Sequence, residues 1–543
     1  MNLRTCWLPV LLALSLIPGA AAAAPEGTDI AAIARVPMLD NGRIKPFDTY
    51  ARESIRFLTG SEVFQGRDPV ALILDFAFDF KKWSDVPVIS IDFLPLKEKL
   101  GVKREVKFLA ASELANNKAY NDLLEQVRKS GKEPDKLPRL EKEAVVLYHR
   151  LSILENQVDG QGWKLVPHET DPGAAWAALS ETKDEALKAA ISAMSAAFVK
   201  SDAAAFNKAA GELASRLKTV SKLPYPEAKT IDREVWYHKF RPFEKASILY
   251  GLAFLAFLAC NTVPPRRMYK LAVALALSGF AVHAYGIGLR VLISGRPPVS
   301  NVYETMLWVP FGINMFALIF ELVHRARFFG LSATLLGAGI LTLSDFVSLD
   351  PYVSPLVPVL RSNYWLIIHV LTITLGYAAA TLCLGLAHLW LAVFVINKGS
   401  APSLKNIEKY LYHAIQVTVL FIGTGTILGG VWANQSWGRY WGWDPKETWA
   451  LISLLGYLAI VHARIVNAIG GFGTTVAAIL AWQNVLFCWY GVNYFLVGLH
   501  SYAGGDQAGY IPWQVWVWAA FEAAILFVGW TSYKAFKKKQ AEE

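Results

Sequence analysis

The chain changes character once along its length. Up to about residue 243 apolar positions are interspersed with charged ones, and beyond it they fuse into long continuous runs. In the first part, Glu113–Arg128, Glu141–Gln157 and Asp184–Lys218 carry apolar residues at helical spacing, which predicts amphipathic helices. Its opening, Pro37-Met-Leu-Asp-Asn-Gly-Arg-Ile-Lys-Pro-Phe-Asp48, contains an Asn-Gly turn, and Asp48 is expected to cap a helix beginning at Thr49. The proline-bearing stretch Lys222–Glu244 is expected to be a linker.

Nine runs of spanning or near-spanning length follow, at 246–263, 271–289, 305–320, 328–344, 364–397, 411–433, 449–463, 472–499 and 512–533. At the other end, residues 1–24 have the form of a signal sequence or N-terminal anchor: Arg4, then an apolar core from Leu8 to Ile17, then alanines before Pro25. The predicted fold is an all-α polytopic membrane protein of about nine transmembrane helices, with a mainly helical extracytoplasmic N-terminal domain. Three regions are expected: 1–24, 25–243 as soluble domain and linker, and 244–543 as membrane domain.

Composition agrees, since 54% apolar and 18% charged residues are too greasy for a simple soluble protein. The net charge of +9 raises the question of a nucleic-acid partner, and the placement of the basic residues decides it. Counting alternately from an outer start puts 264–270, 321–327, 398–410, 464–471 and the C-terminus in the cytoplasm. These hold Arg266, Arg267 and Lys270; Arg325 and Arg327; Lys398, Lys405 and Lys409; Arg464; and Lys534, Lys537, Lys538 and Lys539, as the positive-inside rule requires. Topology accounts for the charge, and nucleic acid is excluded. The connections 290–304, 345–363, 434–448 and 500–511 then lie outside.

The four cysteines, Cys6, Cys260, Cys383 and Cys488, form no C-x-x-C pair, which rules out covalent heme attachment to this chain and thiol–disulfide exchange. Tryptophan is more telling. Interfacial belts explain Trp308, Trp365, Trp513 and Trp530. They do not explain the loop at 432–449, where Trp432, Trp437, Trp441, Trp443 and Trp449 alternate with glycines ahead of a helix-starting Asp444-Pro445. Such a surface suits a flat aromatic ligand such as heme, with Arg439 and Lys446 at hand for its propionates.

Imidazole is a common ligand of heme iron, so the histidines are sorted by position. His369 and His500 fall at the outer ends of their predicted helices, level with the tryptophan loop, and form a candidate axial pair. His462 lies roughly 20 Å below Trp449 on a continuous helix and is a candidate for an inner site, with His388, His413, His324 or another subunit as its partner. His283 reads as structural, and His149, His168 and His238 as surface or core residues. Arg296, in Gly295-Arg-Pro-Pro-Val-Ser-Asn-Val-Tyr-Glu304, has either a propionate, the soluble domain or a purely structural contact as its partner, and Glu522 is an intramembrane acid.

The segment Trp432–Trp449 resembles the tryptophan-rich WWD signature of the heme-handling membrane proteins of cytochrome c biogenesis. Together with His369, His462, the Pro-Pro-Val-Ser-Asn-Val-Tyr-Glu stretch and Gly-Leu-His-Ser-Tyr-Ala503, it is similar to the CcsA (ResC) family of System II cytochrome c synthases over roughly 246–533. The resemblance implies that heme b is carried outward and presented at the WWD loop for thioether attachment to Cys-x-x-Cys-His of apocytochrome c. It implies His369 and His500 as external axial ligands and His462 as a transmembrane ligand. Trp432, Trp437, Trp441, Trp443, Asp444 and Arg439 are carried over as heme-binding residues of the loop. It further implies a CcsB (ResB)-type membrane subunit as partner, in a bacterial cytoplasmic membrane with the N-terminal domain and the loop on the periplasmic side. The stretch Gly42–Glu53 is similar to the region upstream of the CcsA module in larger synthases.

Two rival readings remain at this level. A di-heme b-type electron carrier is favoured by His369 and His388, about 28 Å apart on one helix, but leaves the tryptophans unexplained. A heme-free secondary transporter predicts repeats that are absent from the sequence.

Overall fold

The computed structural model describes residues 27–260, 265–347, 349–355, 364–500 and 513–542. The expected signal sequence at 1–24 and the residues Ser501–Ala503 of the histidine motif lie outside them. The chain forms two units.

The first unit is mainly helical and comprises the described residues up to Phe240 together with Tyr352–Pro355. Its strands Pro37–Asp40 and Arg43–Pro46 pair antiparallel across the Asn41-Gly42 turn, with Asp40 opposite Arg43. The following helix, Phe47–Thr59, starts two residues before the expected position. Asp48 therefore does not cap it. Its carboxylate lies one turn below Arg52 and accepts from that guanidinium at 2.8 and 3.2 Å. The predicted 113–128 helix appears as Ala111–Ala115 and Lys118–Ser130, and 141–157 as Arg139–Glu155. The 184–218 stretch is two helices, Glu185–Val199 and Ala203–Leu217, each started by an aspartate, Asp184 and Asp202, that accepts from first-turn N–H groups. Trp163, fully buried, anchors the core against Phe47 and donates its indole N–H to Gln157 at 2.9 Å.

The stretch expected to be a linker is helical over Ala228–Phe240. Its prolines mark ends: Pro224 and Pro226 precede the helix, and Pro242 opens the next one after Arg241, whose φ of 48° breaks the two apart.

Among the described residues nine helical stretches are long and apolar enough to cross a membrane: Ala228–Ala259, taken across the break at Arg241, Arg266–Ser294, Val302–His324, Phe328–Phe346, Tyr364–Ile396, Ser403–Trp437, Pro445–Ile465, Gly471–Phe495 and Trp513–Glu542. The chain is an all-α, multi-pass membrane protein. Tyr364–Ile396 and Ser403–Trp437 pack side by side at the centre of the second unit's core, which includes Tyr377, Cys383, Trp390, Ile415, Ile422, Tyr457 and Trp482. The Ser403–Trp437 helix, at about 1.5 Å per residue, is roughly 52 Å long against a hydrocarbon core of about 30 Å. Helix thus continues past the apolar run 411–433 at both ends, and the turn from Trp432 to Trp437 belongs to it.

Candidate heme-handling site

The tryptophan segment is less of a loop than its sequence suggests. Gly438, at φ 70°, ends the Ser403–Trp437 helix and returns its N–H to Asn434 O at 2.9 Å. The next helix starts at Pro445, so only residues 438–444 are non-helical. Asp444 caps that helix, accepting from Lys446 N at 3.0 Å, while Glu447 reaches back to accept from Asp444 N at 3.2 Å and Gly442 N at 2.7 Å. This is a capping box, and it folds the loop onto the helix start. Trp443, immediately before the cap, sits at φ 58° and is 70% exposed.

Asp444 holds a second element as well. Its Oδ1 accepts from Leu499 N at 2.6 Å and its Oδ2 from His500 Nδ1 at 2.7 Å. Burial acts to raise its pKa, but the His500 imidazole and the N–H groups of Leu499 and Lys446 outweigh this and hold the carboxyl below the usual carboxylate range. With Nδ1 facing a carboxylate, that nitrogen carries the proton, and Nε2 keeps its lone pair.

His369 is arranged alike. Its Nδ1 lies 2.7 Å from Gly425 O, on the neighbouring helix, so its Nε2 is likewise the nitrogen with a lone pair. The ring lies against Gly429, where a Cβ would meet Cε1 at 2.6 Å. Between the histidines stands Trp432, buried, parallel to His369 at 6.4 Å and edge-on to His500 at 5.7 Å. Trp437 completes the cluster, edge-on to Trp432 at 4.7 Å and to His500 at 5.2 Å. The indole N–H of Trp432 is buried with no hydrogen-bond acceptor among the described residues.

The other loop residues stand apart from this cluster. Trp441 and Trp443 pair with each other at 5.7 Å, and Trp449 packs on Phe487 at 4.3 Å. Arg439 lies over Trp437 and pairs with Glu447 at 3.4 Å. Lys446, expected beside the loop's cations, points away from it. Its ammonium donates to Cys488 O at 2.6 Å and Trp489 O at 3.3 Å.

His462 is exposed, with Nδ1 2.7 Å from Leu458 O. Its three candidate partners are engaged with one another or elsewhere: the rings of His324 and His413 lie 6.5 Å apart, and His388 Nε2 is 3.2 Å from Glu522 Oε2. His283 is structural, buried between Tyr250 OH at 3.3 Å and Leu307 O at 2.9 Å.

Sequence reasoning missed a buried ion cluster. Arg290 and Glu304 are both fully buried, and Nη2 meets Oε1 at 3.2 Å. Arg290 Nη1 donates to Pro351 O at 2.7 Å. Arg296 joins at Glu304 Oε2, 2.9 Å, with Ser300 Oγ at 2.6 Å from the same oxygen. This gives Arg296 the structural contact, and the signal was an arginine at the end of an otherwise apolar run, facing a glutamate one motif later.

A family model described as Cytochrome C assembly protein matches residues 299–500, which contains the whole cluster from His369 to His500. The Protein NrfI of Wolinella succinogenes is 31% identical over 489 residues, covering 86% of this chain and 53% of NrfI, so the chain spans about half the length of that relative. Cytochrome c biogenesis protein CcsA of Synechococcus sp. (strain CC9902) is 34% identical over 39% of this chain and 80% of its own length. That of Synechococcus sp. (strain CC9605) is 32% identical over 46% of this chain and 90% of its own. Covering 80% and 90% of these two relatives at more than 30% identity, the chain belongs to the CcsA family of cytochrome c biogenesis proteins.

Proposed function

We propose that the chain receives heme b as its substrate and presents it between His369 and His500 for thioether attachment to apocytochrome c. The observation that carries the reading is the matched pair of imidazoles. Each has Nδ1 tied, to Gly425 O or to Asp444, which makes Nε2 the nitrogen with the lone pair, and both flank the same buried indole. Hydrogen-bonding the distal ring nitrogen fixes tautomer and orientation and raises ligand basicity, as in metal-binding histidines generally. The donor set fits heme in two further ways: Trp432 and Trp437 offer aromatic faces and edges, and Trp432 has a buried N–H without an acceptor among the described residues. Arg439 is the loop's cation for a propionate, and Trp441, Trp443 and Asp444 complete the heme-binding segment.

The attachment step is a net addition. Each cysteine sulfur bonds to one carbon of a vinyl group and the thiol proton goes to the other carbon, so no oxidant or reductant is consumed. The protein's part is to hold the macrocycle by two imidazoles with its vinyl groups open to the peptide, which is positioning in place of acid–base work. The histidine of Cys-x-x-Cys-His then displaces one imidazole, and the product leaves.

In this reading the loop and the soluble unit face the periplasm of a bacterial inner membrane. His462, exposed on its helix, is a ligand of a second heme position shared with a CcsB-type subunit. The test is the absorption spectrum and heme content of the purified protein, alone and with such a partner, for wild type, His369→Ala and His500→Ala, alongside maturation of a Cys-x-x-Cys-His reporter. Loss of heme and of maturation in both variants is expected. Heme and maturation retained in both would remove the reading.

A further inference from the structure

Two residues after the Asp444 cap, Lys446 leaves the loop and reaches into the Gly471–Phe495 helix. That helix is irregular where Lys446 meets it: Gly471–Leu486 passes into a π-helical turn, Phe487–Gly491, before a last turn at Val492–Phe495. A π turn inserts one extra residue, so backbone carbonyls around it lose their regular partners, and such turns persist where something else satisfies them. Here the Lys446 ammonium does so. It donates to Cys488 O at 2.6 Å, Trp489 O at 3.3 Å and Asn493 Oδ1 at 3.5 Å. Two further contacts fix the same turn: Tyr377 OH lies 3.3 Å from Cys488 Sγ, and Trp489 Nε1 donates to Thr305 Oγ1 at 2.8 Å.

The consequence lies at the far end of the segment. From Leu496 the chain runs directly to His500, and Asp444 takes hold of it there, at Leu499 N and His500 Nδ1. Gly498 makes this approach possible, since a Cβ there would meet Asp444 Oδ1 at 2.5 Å and Pro445 Cδ at 2.8 Å. One helix start, Asp444 to Lys446, thus grips the 488–500 segment at both ends. An extra residue in a helix rotates everything after it by about 100°, so the π turn sets the direction in which the chain arrives at His500.

We propose that Lys446 is a positioning residue for His500: by stabilising the π-helical turn at Phe487–Gly491 it sets the imidazole against His369. The proposal rests on the reading of His500 as a heme ligand. It assigns Lys446 no contact with heme, although it sits inside the signature segment next to residues that have one.

The experiment uses the full chain co-expressed with a CcsB-type partner and heme, in four forms: wild type, Lys446→Met, Lys446→Arg and His500→Ala. Lys446→Met is expected to show the optical spectrum of His500→Ala, with one imidazole lost from iron, and to regain the bis-imidazole spectrum on addition of imidazole. Reporter maturation should fall by about 10- to 100-fold, the usual cost of losing a group that orients a metal ligand. Lys446→Arg, which can still donate to the carbonyls, should recover most of both. A wild-type spectrum and wild-type maturation in Lys446→Met would overturn the proposal while leaving His500 a ligand. A wild-type spectrum in His500→Ala would instead overturn the reading beneath it. Should Lys446→Met fail to accumulate, Lys446→Arg carries the test through the imidazole concentration needed to displace His500: several-fold less than wild type is expected, and an equal concentration counts against the proposal.

Discussion

The carboxylate of Asp444 serves the start of one helix and the side chain of His500 at once, with Oδ2 2.7 Å from Nδ1 and 3.0 Å from Lys446 N. The two duties can be separated. Asparagine caps a helix about as well as aspartate, but it cannot offer the imidazole a negative charge. Asp444→Asn should therefore leave thermal stability nearly unchanged and lower heme affinity by about 10- to 100-fold. Heme retained per protein during exposure to a heme-scavenging apoprotein measures this, and wild-type retention would show that the hydrogen bond does not tune the ligand.

Gly429 should behave as part of the His369 site. In a helix interior alanine is favoured over glycine by about 1 kcal/mol, so Gly429→Ala would ordinarily stabilise the Ser403–Trp437 helix. The new Cβ, however, falls 2.6 Å from His369 Cε1. The expected result is a protein as stable as wild type with the spectrum of His369→Ala. A normal spectrum would mean that the ring has room to move and still bind.

The pair His388–Glu522 makes a separate prediction about stability. Glu522 is 5% exposed on a helix whose other faces are open, and its Oε1 has no partner among the described residues. Removing one member of a buried pair costs about 3–5 kcal/mol, whereas replacing both by apolar residues is often neutral. His388→Leu should accordingly destabilise the detergent-solubilised protein, and His388→Leu with Glu522→Leu should restore it. A double variant whose loss equals the sum of the two single losses would show His388 and Glu522 to be independent. Heme content of the single variant also bears on the electron-carrier reading, which needs His388 as a ligand.

In the first unit Glu53 carries a pH dependence of known sign. Burial raises its pKa to about 7 in spite of the opposing charges of Lys45 and Arg43. Unfolded, it titrates near the ordinary 4.5. The carboxyl thus prefers its proton in the fold: its stabilising contribution is fully present below about 4.5 and is lost as pH rises through about 7. Thermal unfolding of this unit in the intact protein should show that loss, and Glu53→Gln should flatten it. A slope unchanged by the substitution would place the titration on another group.

How far the sequence reached can be followed residue by residue. The nine spans were legible because a run of apolar residues must cross or be buried. The Trp432–Trp449 segment was legible because aromatic density at that level exceeds what an interface needs. Helix beyond the apolar limit was not: Trp432–Trp437 and Ala228–Phe240 are helical where polarity or proline suggested loop and linker. Side-chain direction was equally hidden. Lys446 and Arg439 have the same charge and similar position, yet one turns inward to carbonyls and the other lies over an indole. That difference follows from the π turn in a helix some forty residues on, which no local pattern encodes.

The first unit contains four residues, Tyr352–Pro355, that the chain supplies long after the rest. Tyr352 OH donates to Glu62 at 2.8 Å, and its ring meets that of His238. During synthesis the unit up to Phe240 is made first, and then the helices Pro242–Ala259, Arg266–Ser294, Val302–His324 and Phe328–Phe346 follow. Only after them does Tyr352 emerge. The first unit is therefore finished by a piece that cannot reach it until four membrane helices have been made, which couples its completion to the synthesis of those helices.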